Sequence, residues 1–187
     1  IKRKLYMEVK MIKKSLILTA AALCLMVTTP ATAESTLTVE DIVNIFQKQK
    51  TRGLVLAPAT SDDEATDADN FVSLPKEEQV NLNIEFDFDS TVLRPDQDDK
   101  LALLCAAMKA VNATGFKIVG HTDASGTQIY NMNLSKLRAQ EVKRHLVDHC
   151  GIPKEKLWAE GAGEGYLFDE SNPDANINRR VEFQVAG

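Results

Sequence analysis

The sequence predicts an α+β fold: a two-layer sandwich with two helices on one face of a small mixed sheet, in the order β-α-β-α-β-loop-β. Three observations carry it. Leu82, Ile84, Phe86 and Phe88 alternate with Asn81, Asn83, Glu85 and Asp87, the period of two of a half-buried strand. Leu101, Leu104, Met108 and Val111 recur at helical spacing, as do Leu134, Val142 and Leu146 further on. Short apolar runs follow each helix, and Val181, Phe183 and Val185 alternate near the end of the chain.

The elements follow in order. The first strand lies within 81–88. Pro95 opens a helix, and Asp96, Asp98 and Asp99 stand where acids suit the helix dipole. Cys105 lies beside the apolar stripe of that helix, and Gly115 is expected to end it. Phe116, Lys117, Ile118, Val119 and Gly120 read as the second strand. The second helix runs from about Tyr130 to Cys150 and stops at Gly151, Ile152 and Pro153. Leu157 to Gly161 form the third strand, 164–177 a polar loop, and the alternating run the last strand. The sheet's second face is expected to be partly wet.

Upstream, the composition divides the chain. Residues 1–33 read as an upstream extension plus a secretory signal peptide. Met11, Lys13 and Lys14 begin a basic start, Leu16 to Val27 is an apolar run, and a cut is expected after Ala33. The alternative is an uncleaved inner-membrane anchor, although a comfortable span takes about 20 residues. Leu23 before Cys24 argues against lipid attachment. Residues 34–58 hold a short amphipathic helix with Thr38 as N-cap and Asp41 three residues on. Residues 59–79 are an acidic flexible linker, and 80–187 are the folded domain.

Charge excludes one class of partner. The first 33 residues hold six Lys/Arg and one acid, leaving 16 bases against 26 acids, a net of −10. Such a surface repels phosphate backbones, so nucleic acid is not an expected partner. Export also gives the remaining cysteines meaning. Cys105 and Cys150 are expected to pair as a disulfide, with two buried thiols on neighbouring helices as the alternative.

The stretch from Gly120 to Ala139 carries the chemistry. Asp123 sits in a turn after a strand, with Gly126 to tighten it. Asn131, Leu134 and Arg138 share one helical face. An acid and a guanidinium converging on one cleft suit a ligand that carries both an ammonium and a carboxylate. A guanidinium forks a carboxylate with two parallel bonds, which Lys cannot match. The bland reading makes Asp123 a cap and Arg138 a surface cation.

Gly120, His121, Thr122, Asp123 and Gly126, then Tyr130, Asn131, Leu134, Ser135 and Arg138, resemble the signature of the OmpA-like peptidoglycan-binding domain. Residues 84–90, 161–164 and 178–182 match the family's flanking blocks, so the resemblance covers about 80–187. It implies non-covalent binding of peptidoglycan through the meso-diaminopimelate of the stem peptide, in the periplasm or cell envelope. By the family's motif Asp123 takes the ammonium and Arg138 the carboxylate. Phe88, Asp89 and Leu134 fall on pocket-lining positions, and Asn131 braces the loop. No cofactor and no catalytic role are implied. Residues 34–58 are expected to reach a second, envelope-protein partner. The runner-up is a wall tether held by an uncleaved anchor, and a wall hydrolase is the third reading.

Other patterns are weaker. His145 and His149 stand four apart on a helix but lack the Glu of a metalloprotease motif, so no metal is expected. Gly161, Gly163 and Gly165 follow a strand but open no helix, so they cradle no phosphate. His121, Asp123 and Ser135 have triad letters without a nucleophile elbow. Glu85, Asp87 and Asp89 read as alternating carboxylates on a strand's polar face rather than a hydrolytic pair. Arg179 and Arg180 are too few for a nucleic-acid patch.

Overall fold

A computed structural model describes residues 37–51, 73–86 and 90–186. The 1–33 signal segment, residues 59–72 of the expected linker, Phe88 and Asp89 lie outside the described residues. Strands β1 (Val80–Leu82), β2 (Gly115–His121), β3 (Leu157–Gly163) and β4 (Val181–Ala186) form one sheet in the order β1-β4-β2-β3. β4 runs antiparallel to both neighbours, and β2 and β3 are parallel, so the sheet is mixed as expected.

Among the described residues the helices number three rather than two: α1 (Val39–Thr51), α2 (Asp98–Ala110) and α3 (Gln128–Asp148). The addition is the N-terminal helix, which shares the domain's core. Ile42 and Phe46 are fully buried with Leu101, Leu104, Ile118, Leu146 and Phe183. The Phe46 ring lies 5.3 Å from that of Phe116, tilted by 57°. Each such side chain adds about 1.5–3 kcal/mol when buried. The helix begins where expected. Thr38 Oγ1 accepts from the Asp41 backbone N–H at 3.2 Å, and Asp41 Oδ2 accepts from the Thr38 N–H at 3.0 Å, a reciprocal cap. Its apolar face is thus covered by this domain.

The first strand is shorter than its alternation suggests. After Leu82 the Ile84 N–H bonds back to the Leu82 carbonyl at 3.0 Å, which turns the chain out of the sheet. Side chains then satisfy the freed backbone groups. Lys100 Nζ donates to the Asn83 carbonyl at 2.9 Å, and the Glu85 N–H donates to Gln97 Oε1 at 3.3 Å. Phe86 returns only as an isolated bridge to Leu93.

α2 follows a 3-10 turn at Pro95–Gln97 and ends at Ala110, with Val111 already extended; Gly115 opens β2 instead of closing the helix. The Cys105–Cys150 disulfide joins α2 to the residues just past α3, with Cα atoms 5.8 Å apart. Closing that loop of 45 residues restricts the unfolded chain by about 4 kcal/mol.

The sheet's second face is buried rather than partly wet. Its titratable residues meet each other: Lys117 Nζ lies 2.8 Å from Glu160 Oε2, and Glu182 Oε2 lies 3.3 Å from His121 Nε2 and 3.7 Å from Arg180. Buried charges persist only in such company. Among the described residues no helix is long and apolar enough to cross a membrane.

Candidate functional site

The site lies at the C-terminal end of the parallel pair β2–β3. Two glycines set its geometry. Gly120 and Gly161 face each other across the two strands, and α3 rests directly on them. A Cβ on Gly120 would stand 2.1 Å from the Ser135 carbonyl oxygen, and one on Gly161 would stand 2.7 Å from that of Met132. No side chain fits there, so the helix lies close against the strand ends. Ser135 Oγ clamps it, donating to the Met132 carbonyl at 2.8 Å and accepting from the Gly163 N–H at 2.9 Å.

The turn between β2 and α3 carries Asp123. The Thr122 N–H donates to the Gly163 carbonyl at 2.9 Å, and the Ser125 N–H donates to Asp123 Oδ1 at 3.1 Å. Gly126 adopts φ 101°, open to glycine at no steric cost. Thr127 caps α3 by accepting from the Tyr130 N–H at 3.3 Å. Asn131 is buried and ties the turn together, donating to the carbonyl of Ser125 at 3.0 Å and to Glu164 Oε2 at 2.5 Å.

Nearly three turns into α3, Arg138 reaches the same cleft. Its guanidinium lies over the Phe86 ring, 4.8 Å from the centroid, and its Nε donates to the Ser90 carbonyl at 3.4 Å. Desolvation pulls its pKa below the ordinary arginine value. Tyr130 and Asp123 oppose that shift and Arg179 reinforces it, and the group stays charged at neutral pH. Asp123 Oδ2 meets Arg179 Nη1 at 2.5 Å, and Arg179 Nη2 donates to Asn176 Oδ1 at 2.7 Å. The cleft encloses about 620 Å³, and Asp123, Tyr130, Asn131, Leu134, Arg138 and Arg179 are among the residues lining it.

Four of the six site residues read from the sequence therefore line one cleft: Asp123, Asn131, Leu134 and Arg138. Phe88 and Asp89 lie outside the described residues. Sequence reasoning missed Arg179, Tyr130 and Phe86. Arg179 stood in plain sight beside Arg180, but its partner lies 56 residues away. Phe86 had been assigned to a strand's buried face.

The remaining patterns have structural places. The His145 and His149 rings stack at 4.3 Å, and among the described residues no three His, Cys, Asp or Glu gather as a metal would need. Ser135 is wholly buried in its clamp, and His121 faces Glu182 on the sheet's other side, so the triad letters do not converge. Gly163 approaches the α3 backbone at Met132.

The architecture is thus an α+β sandwich with a polar cleft, both charge signs present, at the end of its parallel strands. The OmpA family model matches residues 85–180, just over half of the chain, and the chain belongs to that family. Outer membrane porin F of Pseudomonas fluorescens is 36% identical over 109 residues, which covers 57% of this chain and 33% of the relative. Outer membrane protein A of Bordetella avium is 35% identical over 109 residues, covering 57% of this chain and 56% of the relative. The chain spans between a third and just over half the length of these curated relatives. Among solved structures, the periplasmic domain of MotB has a TM-score of 0.50 at 15% identity, covering 75% of this chain and 84% of that one, a likeness of fold.

Proposed function

We propose that this protein binds peptidoglycan without covalent chemistry and tethers wall to envelope in the periplasm. The ligand group is the free end of meso-diaminopimelate in the stem peptide. Membership of the OmpA family supports the class of ligand, and the shared cleft of Asp123 and Arg138 supports its chemistry. The ammonium of the D-centre goes to Asp123, and its carboxylate is forked by Arg138. Leu134 packs on the aliphatic chain between the two centres. The role is binding, not catalysis: Ser135 is engaged by backbone partners, and Asp123 meets a guanidinium rather than a second carboxylate.

The observation that carries this reading is that one acid and one guanidinium, 15 positions apart in sequence, line one cleft. The test is co-sedimentation of the full chain with purified sacculi. Asp123→Ala and Arg138→Ala should each weaken it at least tenfold, since an unpaired ligand charge typically costs about 2–5 kcal/mol when desolvated. Circular dichroism should stay unchanged, and the sacculi should release no soluble fragments. Sacculi carrying lysine at that stem position, which keep the ammonium but lose the carboxylate, should not retain the protein. Undiminished sedimentation of both variants would refute the assignment.

A further inference from the structure

Pairing a zwitterion with Asp123 and Arg138 leaves two charged groups of the cleft, Arg179 and Glu85, unused. Arg179 lies on Asp123 and on Asn176, so Asp123 already has a cation. Arg138 has a backbone carbonyl and an aromatic ring, but among the described residues no carboxylate is bonded to it. Glu85 also lines the cleft, yet its carboxylate stands 3.5 Å from Arg94. What remains among the described residues is two guanidinium groups facing one carboxylate.

An incoming ammonium changes that balance. It competes with Arg179 for Asp123 Oδ2, the oxygen that Arg179 holds. Two guanidinium groups then share a partly desolvated cleft, where the charge of Arg179 already works against that of Arg138. One ligand carboxylate answers only one of them. The side chain of Arg179 is 43% exposed, whereas its backbone is fixed. It follows the 3-10 turn Asn176–Asn178, in which buried Asn178 donates to the Pro173 carbonyl at 2.9 Å and accepts from the Asp169 N–H at 2.8 Å.

We propose that Arg179 determines specificity: it guards Asp123 until a ligand binds and then turns to a second carboxylate of the same stem peptide. The cleft then selects a peptide end with two carboxylates and one ammonium over a lone zwitterionic centre. Two carboxyls of such a peptide supply this chemistry. One is the diaminopimelate's other carboxyl, free where that residue ends the chain; the other is the α-carboxyl of the γ-linked glutamate before it. This inference rests on the stem-peptide reading above.

The test is calorimetric titration of the full chain and of Arg179→Gln with synthetic L-alanyl-γ-D-glutamyl-meso-diaminopimelate and its three monoamides. Amidating the D-centre carboxyl should weaken binding at least tenfold in both proteins, because it removes the group forked by Arg138. Amidating one of the other two carboxyls should weaken the wild type roughly tenfold, while Arg179→Gln binds that amide and the parent within about twofold. Which amide does so names the source. The inference falls if the wild type ignores both of these amidations, or if Arg179→Gln still discriminates as the wild type does. Indifference to D-centre amidation would instead sink the stem-peptide reading, and this inference with it.

Discussion

Gly120 and Gly161 owe their place to what they lack. The Gly120 Cα lies so close to α3 that an added methyl would sit 2.1 Å from the Ser135 carbonyl oxygen, which cannot rotate away as a side chain would. Either the helix moves outward or the strand buckles, and both moves separate Asp123 on the turn from Arg138 on the helix. Overpacking of this kind typically costs about 1–3 kcal/mol. Gly120→Ala should therefore lower the urea unfolding free energy by about 2 kcal/mol, and it should weaken sacculus binding although the residue touches no ligand. A variant with wild-type stability and binding would show that the close approach is not needed.

At the scale of elements, α1 does for β4 what a strand neighbour would do. β1 pairs with β4 only from Val181 to Phe183, so β4 runs on past its neighbour. Gln49 fills the place: Oε1 accepts from the Val185 N–H at 2.8 Å, and Nε2 donates to the carbonyls of Phe183 at 3.4 Å and Glu78 at 2.6 Å. Replacing Gln49 by Leu keeps the volume and strands a buried N–H, which costs about 1–3 kcal/mol. Urea denaturation should show a loss of that size, and a loss below about 0.5 kcal/mol would mean that water or a neighbour replaces the amide.

The Gln49 contacts were not legible beforehand. Periodicity announced the amphipathic face of α1 and the Thr38–Asp41 cap, but a period cannot say what a face packs against. α2, α3, β2 and β4 were readable because burial of one side was the dominant demand on their sequence. Alternation over 81–88 misled, because Ile84 and Phe86 are buried or half-buried on an irregular segment whose backbone is satisfied by Gln97 and Lys100. In the cleft, Asp123 and Arg138 stood out through a local motif, whereas Arg179 belongs to the site only through a contact made by folding.

For the whole molecule, pH reports on the buried charges of the sheet's second face. His121 is 2% exposed, and burial pushes its pKa below the ordinary 6.5. Glu182 pulls the value back up and Arg180 presses it further down, and since Arg180 shares the Glu182 carboxylate, we take the ring as neutral in the folded protein. His145 is shifted the same way, by desolvation and by the neighbouring His149. The sign follows from linkage. The unfolded chain binds these protons near pH 6.5 and the folded chain only at lower pH, so stability is complete above that value and falls as pH drops below it. A second loss comes lower. Asp41, Asp96, Glu141 and Asp169 titrate below their ordinary range because hydrogen bonds from Thr38, Gln97, Arg144 and Ser171 favour the carboxylates. Their contribution is present above the unfolded values of 3.8 and 4.5 and disappears as pH falls through the lower folded ones. The urea midpoint should thus be level above pH 7, decline as pH falls below about 6.5, and decline more steeply below about 4.5. His121→Gln should shrink the first decline, and adding His145→Gln should remove it while the acid one remains. Persistence of the upper decline in the double variant would place its protons on other groups.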